Sequence, residues 1–270
     1  MRVAVVGHVE WVDFVRVERL PHSGEILHAR EAWAEPAGGG AVAAVELTGL
    51  AGACLFLTAL GDDDIGRRSQ EGLTRLGVRV EAAVRPEPHR RAITFVEPSG
   101  ERTITLLSHK LVPRRSDSLP WDELVRTDAV YFTGGDPDAL RAARAARVLV
   151  ATARELPTLA EGAVLLDALV FSVGDPGEQF ELGDLDPPPK LVVATGGASG
   201  GTYSEAGAQP QTYAAAPAPG PISDAYGSGD AFAAGLTYAL ALGMPPAQAL
   251  ELASERGAAA TVRRGAYGGS

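Results

Sequence analysis

The densest chemistry in this chain lies at Ser223 to Phe232, which reads SDAYGSGDAF. Gly227 and Gly229 permit a tight turn directly ahead of a helical pattern in which Phe232, Leu236 and Leu240 share one face. Backbone N–H groups at such a helix start have no intrahelical acceptor, and the helix dipole adds partial positive charge there. Gly227, Ser228 and Gly229 are therefore expected to cradle a phosphate or a transition-state charge. Asp230 falls in the first helical turn. Its carboxylate can take a proton from an alcohol lying beside that cradle, which is general-base assistance to attack on a γ-phosphoryl group. Taken alone, a G-x-G-D turn reads more readily as an ordinary loop followed by a favourable first-turn acid.

What the chain lacks removes several competing chemistries. Among 270 residues there are two lysines, Lys110 and Lys190, and no asparagine. No Gly-Lys pair occurs, so a Walker-type phosphate loop is excluded, and the catalytic-loop asparagine of protein kinases cannot be supplied. Cys54 has no second thiol to pair with. The five histidines form no close H-x-x-x-H pair, so neither a disulfide framework nor a zinc site is expected. The formal net charge of −10 opposes unspecific binding to nucleic acid or anionic membranes. With 46% apolar and 21% charged residues, and no apolar run of 18 or more, a soluble, cytoplasmic globular protein is expected.

The elements that must position this turn alternate. Arg2 to Gly7 is a short apolar run ending in glycine, the pattern of a buried parallel strand. Val12 to Val17 and Glu25 to Trp33 read as two strands of a small separate sheet. Helical spacing over Gly38 to Ala53 leads into a strand at Cys54 to Leu60, then a helix at Ser69 to Leu76 and a strand at Val78 to Val84. The run Asp62-Asp63-Asp64 between them reads as a helix cap, since consecutive side chains diverge too much to share a metal. Ala92 to Glu97 and Thr103 to Leu107 form a predicted hairpin around Pro98-Ser99-Gly100. From Asp117 onward strand and helix patterns alternate, which predicts a mostly parallel sheet covered on both faces. Two alanine-rich helices close the chain, roughly Ser228 to Leu242 and Pro246 to Arg263.

At this point the sequence resembles the ribokinase-like (pfkB-type) carbohydrate and nucleoside kinases. Asp224 to Phe232 is similar to that family's D-T-x-G-A-G-D-x-F signature, with Ala225 for the threonine and Ser228 for the central alanine. Val192 to Gly201 resembles its V-V-x-T-x-G-A-x-G-G nucleotide loop. Gly38-Gly39-Gly40 and Gly61 to Gly66 resemble its first signature, and Thr94 with Gly100 to Thr103 its lid hairpin.

The resemblance implies a doubly wound α/β core over residues 1–270 with a small β lid from segments about 12–33 and 91–108. It implies ATP and Mg²⁺, and a sugar, sugar derivative or nucleoside as acceptor. Asp230 would be the base and Gly227 to Gly229 the anion hole. Thr195, Gly197 and Gly200 would lie along the nucleotide, with Gly257 and Ala260 near its adenine. Asp13, Gly38 and Gly39 would orient the acceptor. A monovalent cation beside the anion hole and a homodimer through the lid are both left open. Two departures stand out. The asparagine that ends the family's first signature falls near Val42, and its magnesium-organising N-x-x-E motif is replaced by Ser172 to Glu178 (SVGDPGE), leaving Asp175 or Glu178 to hold the metal's waters. Those losses raise an alternative, a nucleotide- and sugar-binding regulatory protein of impaired catalysis on the same fold.

Overall fold

The computed structural model describes residues 1–268. Its larger sheet comprises β1 (Val3–Val6), β4 (Cys54–Gly61), β5 (Arg79–Arg85), β8 (Ala129–Phe132), β9 (Val148–Thr152), β10 (Ala168–Ser172), β11 (Leu191–Thr195), β12 (Gly201–Glu205) and β13 (Gln211–Tyr213). The strand order is β13-β12-β11-β10-β9-β8-β1-β4-β5. All pairings from β5 across to β11 are parallel, whereas β12 returns antiparallel to β11.

Alternate side chains of the central strands serve two cores. Val3, Val5 and Phe56 pack with α1 (Gly39–Ala51), α5 (Ser228–Ala241) and α6 (Pro246–Thr261). Ala4, Val6, Leu55 and Leu57 face α3 (Pro137–Ala143) and α4 (Leu156–Gly162). Because both faces are covered, β1 and β4 are buried throughout, which is why they read as continuous apolar runs. The hydroxyl residues Thr133, Thr152, Ser172 and Thr195 follow at the carboxyl ends of β8 to β11, the edge where open α/β sheets bind ligands. Among the described residues no helix is long and apolar enough to cross a membrane.

The lid is a four-stranded sheet in the order β3-β2-β6-β7, built from β2 (Glu10–Arg16), β3 (Glu31–Ala37), β6 (Arg91–Val96) and β7 (Arg102–Leu106). Its predicted hairpin around Pro98-Ser99-Gly100 lies as expected, but the strand expected at Glu25 to Trp33 is displaced. The β2 register pairs Arg16 with Glu31 and Glu10 with Ala37, so the partner strand begins only at Glu31, while Ile26 is left 90% exposed in a loop. Pro36 is tolerated within β3 because that strand is an edge of the sheet. α2 (Asp64–Arg75) starts five residues before the predicted helix: Asp63 caps it, accepting from the Gly66 N–H at 2.7 Å. α4 and the β12–β13 hairpin are additional to the sequence reading.

Candidate active site

A cavity of about 970 Å³ opens between the lid and the carboxyl ends of β8 to β11. Asp230, in the first turn of α5, lines it together with Gly227, Ser228 and Gly229. Gly227 adopts a left-handed conformation (φ 72°) as the N-cap, and no side chain caps the helix. The Ser228 N–H makes one long contact of 3.4 Å to the Ala225 carbonyl, and the Ala231 N–H donates to the Gly227 carbonyl. Among the described residues nothing accepts from the Gly229 and Asp230 amides, so these donors face the cavity.

The Asp230 carboxylate itself has no hydrogen-bond partner among the described residues. Burial, with the negative charge of Glu178 acting in the same sense, pushes its pKa up to about 6 against the pull of His8, Arg102 and Arg154. A β-carbon at Gly39 would come within 2.7 Å of Asp230 Oδ1, so the start of α1 must be glycine for the carboxylate to stand there. The turn is tied to its surroundings on both sides. The Ala225 N–H donates to the carbonyl of Gly100 at the lid tip (3.1 Å), and Tyr226 Oη accepts from the Gly38 N–H (3.0 Å).

At the lid side of Asp230 the cavity is lined by His8, Glu10, Gly38, Gly39, Arg90 and Lys110. Glu10 and His8 are both buried; His8 Nδ1–H donates to the Thr133 carbonyl, and its Nε2 lies 3.4 Å from Glu10 Oε1. Burial works to raise the Glu10 carboxyl. The hydrogen bond from His8 and the charges of His8, Arg90 and Lys110 outweigh it and hold the group below its ordinary range. The expected acceptor-binding Asp13 is placed elsewhere. It lies outside the cavity lining, and its Oδ2 pairs with Arg91 at 2.8 Å. Side chains alternate along β2, so Glu10, Val12 and Phe14 share one face and Asp13 lies on the other. The carboxylate that faces the cavity is Glu10, an odd number of residues away. Val42, at the asparagine position, is buried against Gly227.

At the opposite end, Thr195, Gly197 and Gly200 line the cavity, the Thr195 hydroxyl donating to the Phe171 carbonyl. Gly200 is fixed by sterics: a β-carbon there would meet the Tyr213 carbonyl at 2.2 Å. Gly197, Ser199 and Gly201 have the spacing of a hydrolase nucleophile elbow. That elbow requires a helix after the serine, whereas here a short 3₁₀ turn leads into antiparallel β12, so it is absent. From α6, Ser254, Gly257, Ala258 and Thr261 reach the cavity, a set spaced for one helical face. Ala260 falls off that face and is 2% exposed in the packing beneath, so the expected Ala260 contact is taken by Ala258 and Thr261.

Asp175 and Glu178 also line the cavity, bridged by Arg154. Asp175 additionally accepts from the Gly177 N–H (2.8 Å) and Glu178 from the Ser172 N–H (2.8 Å). Two carboxylates with remaining lone pairs suit a magnesium ion held chiefly by phosphate oxygens and water. The described residues contain no cluster of three or more His, Cys, Asp or Glu placed as metal ligands, so nothing here forms an all-protein cage. Beside the anion cradle, Asp224 accepts from the Tyr226 and Gly265 amides, one on each carboxylate oxygen, and no step is assigned to a monovalent cation there.

Three groups at this site carried no motif signal, Glu10, Arg90 and Arg154, whereas Arg102 lies in the Gly100 to Thr103 stretch of the lid hairpin. Alternation along β2 was the one available cue, and it identified a face without saying which face is covered.

Comparison with known proteins agrees with this fold. The family model described as pfkB family carbohydrate kinase matches residues 1–161 and 182–270. The "ATP-dependent ribose-1-phosphate kinase" of Halopiger xanaduensis is 27% identical over 287 residues, covering 98% of this chain and 94% of that protein. Among solved structures, a putative ribokinase from Agrobacterium tumefaciens superposes with a TM-score of 0.82 at 21% identity, over 99% of this chain and 93% of that one. Arabidopsis thaliana ribokinase complexed with ribose and ATP superposes with a TM-score of 0.73 at 22% identity, over 98% and 93% of the two chains. With a doubly wound sheet, a small β lid and a family match over nearly its whole length, the chain belongs to the pfkB family of carbohydrate kinases.

Proposed function

We propose that this kinase transfers the γ-phosphoryl group of ATP to a hydroxyl of a sugar, sugar derivative or nucleoside bound between His8 and Asp230. Asp230 takes the hydroxyl proton as the acceptor oxygen bonds to the γ-phosphorus and the bond from that phosphorus to the β,γ-bridging oxygen breaks, releasing ADP. The free amides beside Gly227 to Gly229 receive the charge that develops on the transferring group. Thr195, Gly197 and Gly200, with the cavity face of α6, hold the nucleotide. Asp175 and Glu178 would hold magnesium through its waters, and the ion when bound neutralises charge on the β- and γ-phosphates. Arg154 and Arg102 contribute fixed positive charge from the core and the lid, in a chain with two lysines.

The observation that carries this reading is an unpartnered carboxylate at an uncapped helix start, inside a cavity shared by lid and strand ends. The regulatory alternative is not favoured, because the base position and the amide cradle are both retained. The test is ADP release with a panel of acceptors, ribose 1-phosphate first in view of the Halopiger relative, followed by identification of the phosphorylated product. If ATP hydrolysis never couples to any acceptor, the proposal fails.

The metal assignment has its own test. Glu178→Gln is expected to raise the Mg²⁺ concentration needed for half-maximal activity by about 10–100-fold. Removing a negative charge that raises the Asp230 pKa also moves the acid limb of the pH–rate profile to lower pH. An unchanged Mg²⁺ requirement rejects a metal role for Glu178.

A further inference from the structure

Asp175 and Glu178 are held by the same two kinds of donor. Each gives one carboxylate oxygen to a backbone N–H nearby: Asp175 Oδ1 accepts from Gly177 (2.8 Å) and Glu178 Oε2 from Ser172 (2.8 Å). Each gives its other oxygen to a single nitrogen, Nη2 of Arg154, which lies 2.9 Å from Glu178 Oε1 and also donates to Asp175 Oδ2. The backbone thus uses one oxygen of each carboxylate. The pair left to receive a cation from the cavity is the pair that Arg154 covers.

Arg154 is anchored at its backbone and loosely engaged at its tip. It follows β9 in a 3₁₀ turn over Ala153–Glu155, where its N–H donates to Thr152 Oγ1 at 3.3 Å. Its side chain is 45% exposed, and among the described residues Nε and Nη1 make no hydrogen bond. Gly177 leaves room for the guanidinium, since a β-carbon there would stand 3.1 Å from Nη1. Ion pairs between partly exposed groups are weak and can be exchanged for better ones. One nitrogen shared between two carboxylates also uses the planar fork poorly, whereas phosphate oxygens match it two at a time.

The same guanidinium lines the cavity, and its charge acts on Asp230. With Arg154 in place the cluster carries one net negative charge; without it, two carboxylates would face the cavity uncompensated and would draw in a divalent ion before any nucleotide had bound.

We propose that Arg154 is a displaceable catalytic group: in the empty site it covers the carboxylate oxygens that the waters of Mg²⁺ require, and when nucleotide and metal enter together it turns onto the oxygens of the transferring phosphoryl group. Metal alone is thereby kept out, and the charge that stabilises transfer is delivered only to a loaded site. The charge of Arg154 is permanent and only its partners exchange; the guanidinium neither gains nor loses a proton. This inference rests on the kinase reading above and extends it to how the site is loaded.

The test uses Mn²⁺, whose preference for oxygen ligands resembles that of Mg²⁺, as the probe of the nucleotide-free protein, with the free ion followed by electron paramagnetic resonance. Arg154→Gln is expected to bind Mn²⁺ about 10-fold more tightly than the wild type, and adding Glu178→Gln should cancel that gain. With MgATP and acceptor, Arg154→Gln should lower kcat about 10²–10³-fold with the acceptor KM unchanged. Tighter metal binding joined to slower turnover is the pattern that a purely structural ion pair would not give. Arg154→Lys keeps the charge without the fork and should show both effects in reduced size, which decides the matter if thermal unfolding shows the glutamine variant to be unfolded. Mn²⁺ affinity that is unchanged or weaker in Arg154→Gln, or tighter affinity with unchanged kcat, overturns this inference and leaves the kinase reading intact. A wild type that phosphorylates no acceptor overturns both.

Discussion

Asp230→Asn is expected to lower kcat by roughly 10²–10⁴-fold while leaving the affinity for ATP close to that of the wild type. Asparagine keeps the size and the place of the side chain at the start of α5 but cannot take the acceptor proton. In the wild type, kcat/KM should fall as pH drops through about 6, because the carboxyl then becomes protonated and ceases to be a base.

The same substitution should raise stability. Folding lifts the Asp230 pKa from its ordinary value of 3.8 to about 6, so the folded protein binds this proton more tightly than the unfolded chain does. The resulting stabilisation is complete below pH about 4 and is lost as pH rises through 6; above that, the buried charge disfavours the fold. Asn removes that penalty at pH 7–8. A two-unit shift corresponds to about 3 kcal/mol at full burial, and less here because the carboxyl opens onto the cavity. A variant that is slower by orders of magnitude yet more resistant to urea at pH 8, with the stability difference closing by pH 4, is the expected pattern. Near-normal turnover would reject Asp230 as the base, and a stability difference independent of pH would reject the buried-charge account.

Gly227→Ala should be the next most damaging change, and for steric rather than chemical reasons. The residue sits at φ 72°, where an L side chain costs about 1–2 kcal/mol, and its added β-carbon would stand 2.9 Å from Val42 Cγ1 in a buried contact. Overpacking of that kind adds about 1–3 kcal/mol. Relief by a backbone shift would rotate the amides of Gly229 and Asp230 away from the cavity, and losing one such donor costs about 10²–10³ in kcat. Adding Val42→Ala should restore part of the stability, because it removes the clashing methyls, while activity stays low. Urea denaturation and steady-state kinetics on the single and double variants separate the two contributions. A Gly227→Ala enzyme with wild-type kcat would show that this turn does not form the anion cradle.

How far the chain could be read without coordinates depends on the range of the interaction involved. The glycine turn before α5 was legible because everything it needs is local: two glycines, an acid in the first turn, and a helical apolar face within ten residues. The central strands were legible because burial on both faces leaves an unbroken apolar run. The displaced lid strand was not, since Ile26 and Leu27 look β-like in isolation and only the pairing of β2 with Glu31 to Ala37 decides which residues form the partner.

The amino-acid sequence by itself determined the α/β architecture, the place of the glycine turn at the start of α5 and the acid that follows it, since adjacent residues set those through backbone sterics and helix polarity. Only the tertiary structure decided that Glu10 rather than Asp13 faces the cavity, that Ala258 and Thr261 rather than Ala260 border it, and that Arg90 is buried there against Glu10. The physical reason is parity. Periodicity along a strand or helix says which side chains share a face, but the side that is covered, and what waits across the gap, is fixed by elements tens of residues away.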